Sequence, residues 1–284
     1  MDSFEDATIA ANGLDFHVVQ AGPEDGPLVL LLHGYPEHGR SWARQIAALA
    51  GAGFRVWAPD QRGYNLSAKP AGIAAYRLDA LAADAVGLID AAGRARAYVA
   101  GHDWGGGVAW WTAIRHPARV ARLAVVNMPH PAVLLRRHLY HLHRCWYFYA
   151  FLIPRLPEWA NARGDYRDLL AAIRASARPG AFDDEQLAAM RAAWSRPGAL
   201  TAMINWYRAV MWRPPDIRGD VRVHVPTLLV WGARDRFISR AMAAASIAYC
   251  DDGRLEVLAD ATHWVHHEEP ERLSELLRSF FATA

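Results

Sequence analysis

The sequence predicts an α/β fold, a mostly parallel central sheet flanked by helices with a helical segment inserted between two late strands. Three observations carry that prediction. Short apolar runs alternate with single helical periods over residues 1–128, a rhythm that requires crossover connections and parallel strands. The rhythm stops across 129–220, where helical spacing at DLLAAIRASA and DEQLAAMRAAW accompanies a concentration of Trp, Tyr and His. It resumes over 221–284 with further apolar runs and a closing amphipathic helix.

Taken in order, TIAANGLDFHVVQ alternates apolar and polar residues on both sides of Asn12-Gly13, a dipeptide that supplies the positive φ angles of a two-residue hairpin turn. LVLLL (28–32) reads as a buried strand, followed by a helix over 41–49, the strand FRVWAPD (54–60) and a helix over 78–91. AYVAG (97–101), a helix after Gly105 and ARLAVVN (121–127) complete the first part. After the insertion come VPTLLVWG (225–232), LEVLAD (255–260) and the helix EEPERLSELLRSFF. The organisation is thus a sheet-forming core over 1–128, a lid over 129–220 and the rest of the core over 221–284.

Composition narrows the possible roles. The chain has 284 residues, 53% hydrophobic and 21% charged, with a net charge of +2, which suits one large globular domain carrying an insertion. Acids and bases are interspersed, so no basic track suggests a nucleic-acid partner. The stretch MDSFEDATIAANG lacks the basic and apolar regions of a secretory signal, and the apolar run over 145–153 is about half a bilayer span. A cytoplasmic protein without membrane or nucleic-acid partners is expected. Cys145 and Cys250 lie in apolar surroundings far apart in sequence, and read as core thiols rather than redox or zinc ligands.

Loops at the carboxyl ends of parallel strands converge on one sheet edge, and four of them carry reactive residues. His33-Gly34-Tyr35-Pro36-Glu37 follows LVLLL, Asp103 follows AYVAG, Ala233-Arg234-Asp235 follows TLLVWG, and Ala261-Thr262-His263 follows LEVLAD. GHDWG (101–105) has the G-x-S-x-G strand-turn-helix pattern with aspartate in the nucleophile's place, and the order nucleophile, acid, histidine is that of the α/β-hydrolase triad. An aspartate, with an ordinary pKa near 3.9, is ionised at neutral pH and attacks without a base. His263 is then needed as the base for the second step, oriented by Asp235. Asp60 and Glu37 are alternative orienting acids, and His266 and His267 alternative bases. The backbone N–H groups of Tyr35 and Trp104 are expected to face an oxyanion on Asp103. Read locally, Asp103 could instead be a helix N-cap.

On these residues the chain resembles the α/β-hydrolases and, within them, is most similar to the soluble epoxide hydrolases. The resemblance runs over nearly the whole chain through HGYPE (33–37), DQRGY (60–64), GHDWGG (101–106), GARD (232–235), THW (262–264) and, in the lid, NWYR (205–208). It implies conversion of a small-molecule epoxide and water to a vicinal diol through a hydroxyalkyl ester on Asp103, without a cofactor, in a monomer or homodimer. It places the ring-opening acids at Tyr207 and Tyr147, with Tyr149 as the rival for the second. In a helix, residues two apart point in nearly opposite directions, so only one of Tyr147 and Tyr149 can face the pocket. His33, Pro36, Glu37, Trp146, Phe148, Phe151 and Trp206 are the expected pocket residues, a mostly apolar set suited to aryl or alkyl epoxides.

GHDWG is shared with haloalkane dehalogenases, so dehalogenation by the same Asp103 nucleophile is the alternative activity. A catalytically silent binding module would lack a triad member, and all three are present. The lid histidines His138, His141 and His143 and the run over 263–267 resemble metal ligands at first reading. No metal is expected, because an Asp-His hydrolase has no step that uses one.

Overall fold

The computed structural model describes residues 4–137 and 146–283. Cys145, His138, His141 and His143 lie outside the described residues. β1 (Glu5–Ala11) and β2 (Leu14–Ala21) form the opening hairpin. Asn12 and Gly13 both adopt positive φ, 48° and 73°, as a type I′ turn requires. β3 (Leu28–Leu32), β4 (Arg55–Pro59), β5 (Ala97–His102), β6 (Val120–Val126), β7 (Thr227–Gly232) and β8 (Gly253–Leu258) complete an eight-stranded sheet in the order β1-β2-β4-β3-β5-β6-β7-β8. Only the pairings made by β2 are antiparallel.

Helices α1 (Ala43–Gly51), α2 (Leu78–Ala91) and α3 (Trp104–Arg115) join the early strands. The helix expected over 41–49 is split, a 3₁₀ turn at Gly39–Trp42 preceding α1. Between β6 and β7 come α4 (Pro131–Arg137), α5 (Trp146–Ala150), α6 (Leu156–Ala162), α7 (Arg167–Ser176), α8 (Asp184–Trp194) and α9 (Ala199–Trp212), with no strand of the sheet among the described residues of that interval. α10 (Ala241–Ile247), α11 (Val265–Glu268) and α12 (Pro270–Ala282) follow.

Strand alternation sorts the core into two layers. Leu28, Leu30 and Leu32 of β3 pack with residues of α2 and α3, whereas Val29 and Leu31 face the layer built with Ile46, Leu49, Leu273, Leu277 and Phe281 of α1 and α12. Each such side chain contributes roughly 2 kcal/mol by leaving water. With both faces covered, the carboxyl edge of the sheet remains for function.

Arg62 of DQRGY is buried and pairs with Asp84 on α2 through two bonds of 2.6 and 2.7 Å, and Asn12 of the hairpin turn donates to the same carboxylate at 2.8 Å. Leaving either charge unpaired at such depth would cost on the order of 3–5 kcal/mol. The pair fixes the hairpin against the helical layer. Cys250 is a buried free thiol, and burial pushes its pKa up to about 11. Among the described residues no helix is long and apolar enough to cross a membrane.

Three indole N–H groups join the helices of the β6–β7 interval to the core. Trp194 Nε1 donates to the Pro36 carbonyl at 2.6 Å, Trp206 Nε1 to the Arg62 carbonyl at 3.0 Å, and Trp264 Nε1 to Ser176 Oγ at 3.0 Å. Within the interval, buried Arg208 donates to the Phe151 carbonyl at 2.8 Å and pairs with Glu158 at 2.6 Å. That arginine binds the α5–α6 stretch to α9, which carries NWYR.

Candidate active site

Asp103 occupies the sharp turn between β5 and α3, at φ 49° and ψ −125°. For a residue with a side chain this backbone is strained by on the order of 1–3 kcal/mol, a cost that folded proteins retain chiefly at functional positions. The local sequence makes the turn possible. A Cβ at Gly105 would collide with the Leu32 and His33 carbonyls, and one at Gly34 would lie 2.5 Å from Asp103 Cβ. These two glycines let the loop after β3 close onto Asp103. The Tyr35 N–H consequently donates to Asp103 Oδ1 at 2.9 Å. Trp104 is the first residue of α3, so its N–H has no acceptor within the helix and is the second donor available at this turn.

His263 stands between two carboxylates, its Nδ1 2.8 Å from Asp235 Oδ2 and its Nε2 3.5 Å from Asp103 Oδ2. Asp235 is itself fixed: Oδ1 accepts the N–H groups of Phe237 and Ile238 at 2.7 and 2.9 Å. Its Oδ2 also accepts from Asn127 Nδ2 at 2.6 Å, while Asn127 Oδ1 accepts from the Gly232 N–H at 3.0 Å. Sequence reasoning passes over Asn127. Its only signal is a polar residue at the carboxyl end of β6, the same position in a strand that marks the triad members. The backbone of His263 is held by His102, whose Nε2 donates to its carbonyl at 2.9 Å.

The alternative acids and bases are engaged elsewhere. Asp60 binds His17 and the Gly39 N–H, each at 2.8 Å, and Glu37 receives His266 and His267 at 3.0 and 2.6 Å. Burial alone would raise the Asp103 pKa, but the hydrogen bond and charge of His263 outweigh it and hold the carboxyl below its ordinary value. Burial likewise opposes charge on His263, yet Asp235 and Asp103 together push its pKa up to about 10. The resting centre is therefore a carboxylate–imidazolium–carboxylate array.

Beside Asp103 lies a cavity of about 830 Å³, lined by Tyr35, Pro36, Trp146, Tyr147, Phe151 and Tyr207 among others, with His263 in its wall. Tyr207 is buried and its ring sits edge-on to Tyr35, Trp104, Phe148 and Phe151, at centroid separations of 4.8–5.3 Å. Burial raises its pKa well above the ordinary 10, so the phenol is protonated at neutral pH. Tyr147 lines the same cavity, 5.9 Å from Tyr207 ring to ring, whereas Tyr149 is among the exposed hydrophobics. Phe148 borders a smaller adjoining recess, and Trp146, 66% exposed, stands at the outer rim.

Three expected pocket residues are placed elsewhere. His33 is fully buried because both ring nitrogens are used locally, Nδ1 with the Gly34 carbonyl and Nε2 with the Gln61 N–H. Glu37 is turned into the histidine cluster beneath the loop. Trp206 points its indole at Arg62 and packs on Tyr64 and Trp104 as core.

A family model described as alpha/beta hydrolase fold matches residues 27–270. The chain belongs to the α/β-hydrolase family. It is 42% identical to AB hydrolase superfamily protein YfhM of Bacillus subtilis (strain 168), over 99% of both chains. Epoxide hydrolase 4 of Mus musculus is 37% identical over 96% of this chain and 77% of its own. Among solved structures, an epoxide hydrolase from Bacillus megaterium in complex with an inhibitor superposes with a TM-score of 0.89 at 25% identity, covering 98% of this chain and 100% of that one.

Buried histidines give this α/β-hydrolase a defined pH range. Burial holds His33 and His130 down at about 4 and His266 at about 3, from an ordinary 6.5. For such groups the folded state binds fewer protons than the unfolded state, so their contribution is complete above pH 6.5 and is lost as pH falls. His263 has the opposite sign: its contribution is complete below 6.5 and is lost as pH rises through about 10. Stability measured by urea unfolding should therefore peak near pH 6.5 and fall on both sides, by about 1.4 kcal/mol per pH unit for each titrating histidine. A flat profile between pH 4.5 and 6.5 would contradict the buried, neutral state of these rings.

Proposed function

We propose that this α/β-hydrolase adds water to apolar epoxides to give vicinal diols, through a hydroxyalkyl ester on Asp103. The observation that carries this reading is a carboxylate at the nucleophile turn, within reach of a charged histidine and bordered by two lid tyrosines. A hydrolase acting on esters has no use for phenols above its nucleophile. A strained ether does, because the departing oxygen needs a proton. The kinship supports the reading, since a mutant of the Bacillus megaterium epoxide hydrolase has been solved with its product, a naphthyloxy-propane-1,2-diol, and superposes with a TM-score of 0.87 at 26% identity. In the same reading, 129–220 form the lid and 1–128 with 221–284 the core.

The charges account for the order of steps. Ionised Asp103 attacks an epoxide carbon while Tyr207 or Tyr147 protonates the oxygen that leaves it. Forming the ester removes the negative charge beside His263 Nε2, so the imidazolium loses one of the two partners that kept it protonated. Its proton replaces the one the tyrosine gave up. Neutral His263, still oriented by Asp235, then deprotonates water for attack on the Asp103 carbonyl, whose oxyanion meets the N–H groups of Tyr35 and Trp104. Collapse expels the diol's alkoxide, which takes the proton His263 removed from water, and the new Asp103 carboxyl proton then passes to His263 and restores the resting array.

Stopped-flow fluorescence of Tyr207→Phe tests the assignment. Removing one general acid should slow ester formation by about 10²–10⁴-fold while leaving the rate of ester hydrolysis within a few-fold of wild type. An unchanged alkylation rate would remove Tyr207 from the reaction.

A further inference from the structure

Two spaces meet at the nucleophile, and they are very unequal. The larger, about 830 Å³, is walled by lid residues such as Trp146, Phe151, Leu156 and Ile173 together with Phe237 and Trp264. The smaller, about 20 Å³, is enclosed by Trp104, Met128, Leu134, Phe148, Ile238 and Met242. Asp103, Tyr147, Tyr207 and Phe237 border both. An epoxide held by Asp103, Tyr147 and Tyr207 lies where the two spaces meet, so that one ring carbon can turn toward each. The recess holds about one water-sized group, so a hydrogen or methyl fits there and a longer chain does not. The large cavity is within the range that accepts a drug-sized apolar ligand.

The recess also draws a larger share of its wall from the sheet-bearing part of the chain. Four of its walls come from core elements, namely the start of α3, the residue range after β6, the loop after β7 and α10. Ile238 is pinned by its N–H bond to Asp235 at 2.9 Å, the Met128 carbonyl receives the Trp110 indole at 3.0 Å, and Met242 is fully buried. The lid helix α5 borders both spaces through Tyr147 and Phe148, whereas α6 and α7 border the large cavity alone. Movement of the lid changes the large side and leaves most of the recess wall in place.

Resting on the epoxide hydrolase reading above, we infer that the preferred substrates are terminal epoxides bearing one long apolar substituent, which occupies the large cavity while the unsubstituted ring carbon faces the recess. Internal epoxides with two extended arms are disfavoured by the second arm.

The isomers 1,2-epoxyoctane and trans-4,5-epoxyoctane share composition and differ in carrying one chain or two on the ring, so the ratio of their kcat/KM values, compared between the wild type and a variant with a widened recess, forms the test. Overfilling a packed site by even a methylene costs about 1–3 kcal/mol, so the terminal isomer should be favoured by on the order of 10²-fold. In Leu134→Ala/Met242→Ala, with folding checked by circular dichroism, the recess widens and this ratio should fall at least about tenfold, a loss comparable to removing one methylene of discrimination. Equal kcat/KM for the two isomers in the wild type would overturn the inference while leaving epoxide hydrolysis standing. So would a ratio that the folded variant does not change. Turnover of neither isomer would remove the underlying reading and this inference with it.

Discussion

His263→Gln should stop after one chemical step and keep its substrate. Incubated with a terminal epoxide, the variant should gain the mass of the whole epoxide, mapped by peptide analysis to Asp103, while steady-state turnover falls by about 10³-fold or more. The reasoning is electrostatic. Asp103 lies below its ordinary pKa partly because of His263, but an aspartate at its ordinary pKa is still ionised at neutral pH, so attack survives the substitution. Ester hydrolysis does not, because among the described residues the alternative acids and bases are engaged with one another: Asp60 holds His17, and Glu37 holds His266 and His267. Normal turnover in this variant would place the base elsewhere. Incubation with a bromoalkane is the control, and a gain of the alkyl group from it, with none from the epoxide, would assign dehalogenation.

Asp103→Ala should abolish turnover, by at least about 10⁴-fold, and no adduct should form even when His263 is also replaced. The histidine should change as well. Without Asp103 it loses one of the two carboxylates that push its pKa up to about 10, so its imidazole, followed by NMR, should titrate at lower pH than in the wild type. Residual activity within tenfold of wild type would show that Asp103 only shapes the turn, the role of a helix cap. A histidine that titrates unchanged would mean that the 3.5 Å approach of Asp103 to Nε2 carries little charge interaction.

Most of this centre can be read from the sequence because its members lie at strand ends, where parallel topology gathers them whatever the rest of the chain does. Asp103, Asp235 and His263 each follow an unmistakable apolar strand. Asn127 ends a strand too, but one asparagine after ARLAVVN carries no motif, and its bond to Asp235 spans 108 positions of sequence. The errors have a different origin. His33, Tyr35 and Glu37 share one loop, and sequence proximity gave no way to know which would face the cavity. Backbone direction decides it: the loop delivers the Tyr35 N–H to Asp103 and buries its two titratable neighbours. For Trp206 the helical period is the cause, since adjacent residues of α9 are turned about 100° apart, and the one that reaches the cavity is Tyr207.

The indole anchors bear on how the molecule comes apart. An inserted segment could in principle unfold alone and leave the sheet intact. Here Trp194 and Trp206 of the insertion bond to carbonyls of core loops, and Trp264 of the core bonds to Ser176 of the insertion. Stripping the insertion away would expose these indoles and leave buried acceptors without donors on both sides of the seam. Core and insertion should therefore melt in a single calorimetric transition that removes Asp103 and the tyrosines beside it together, and two resolved transitions would show that the seam does not couple them.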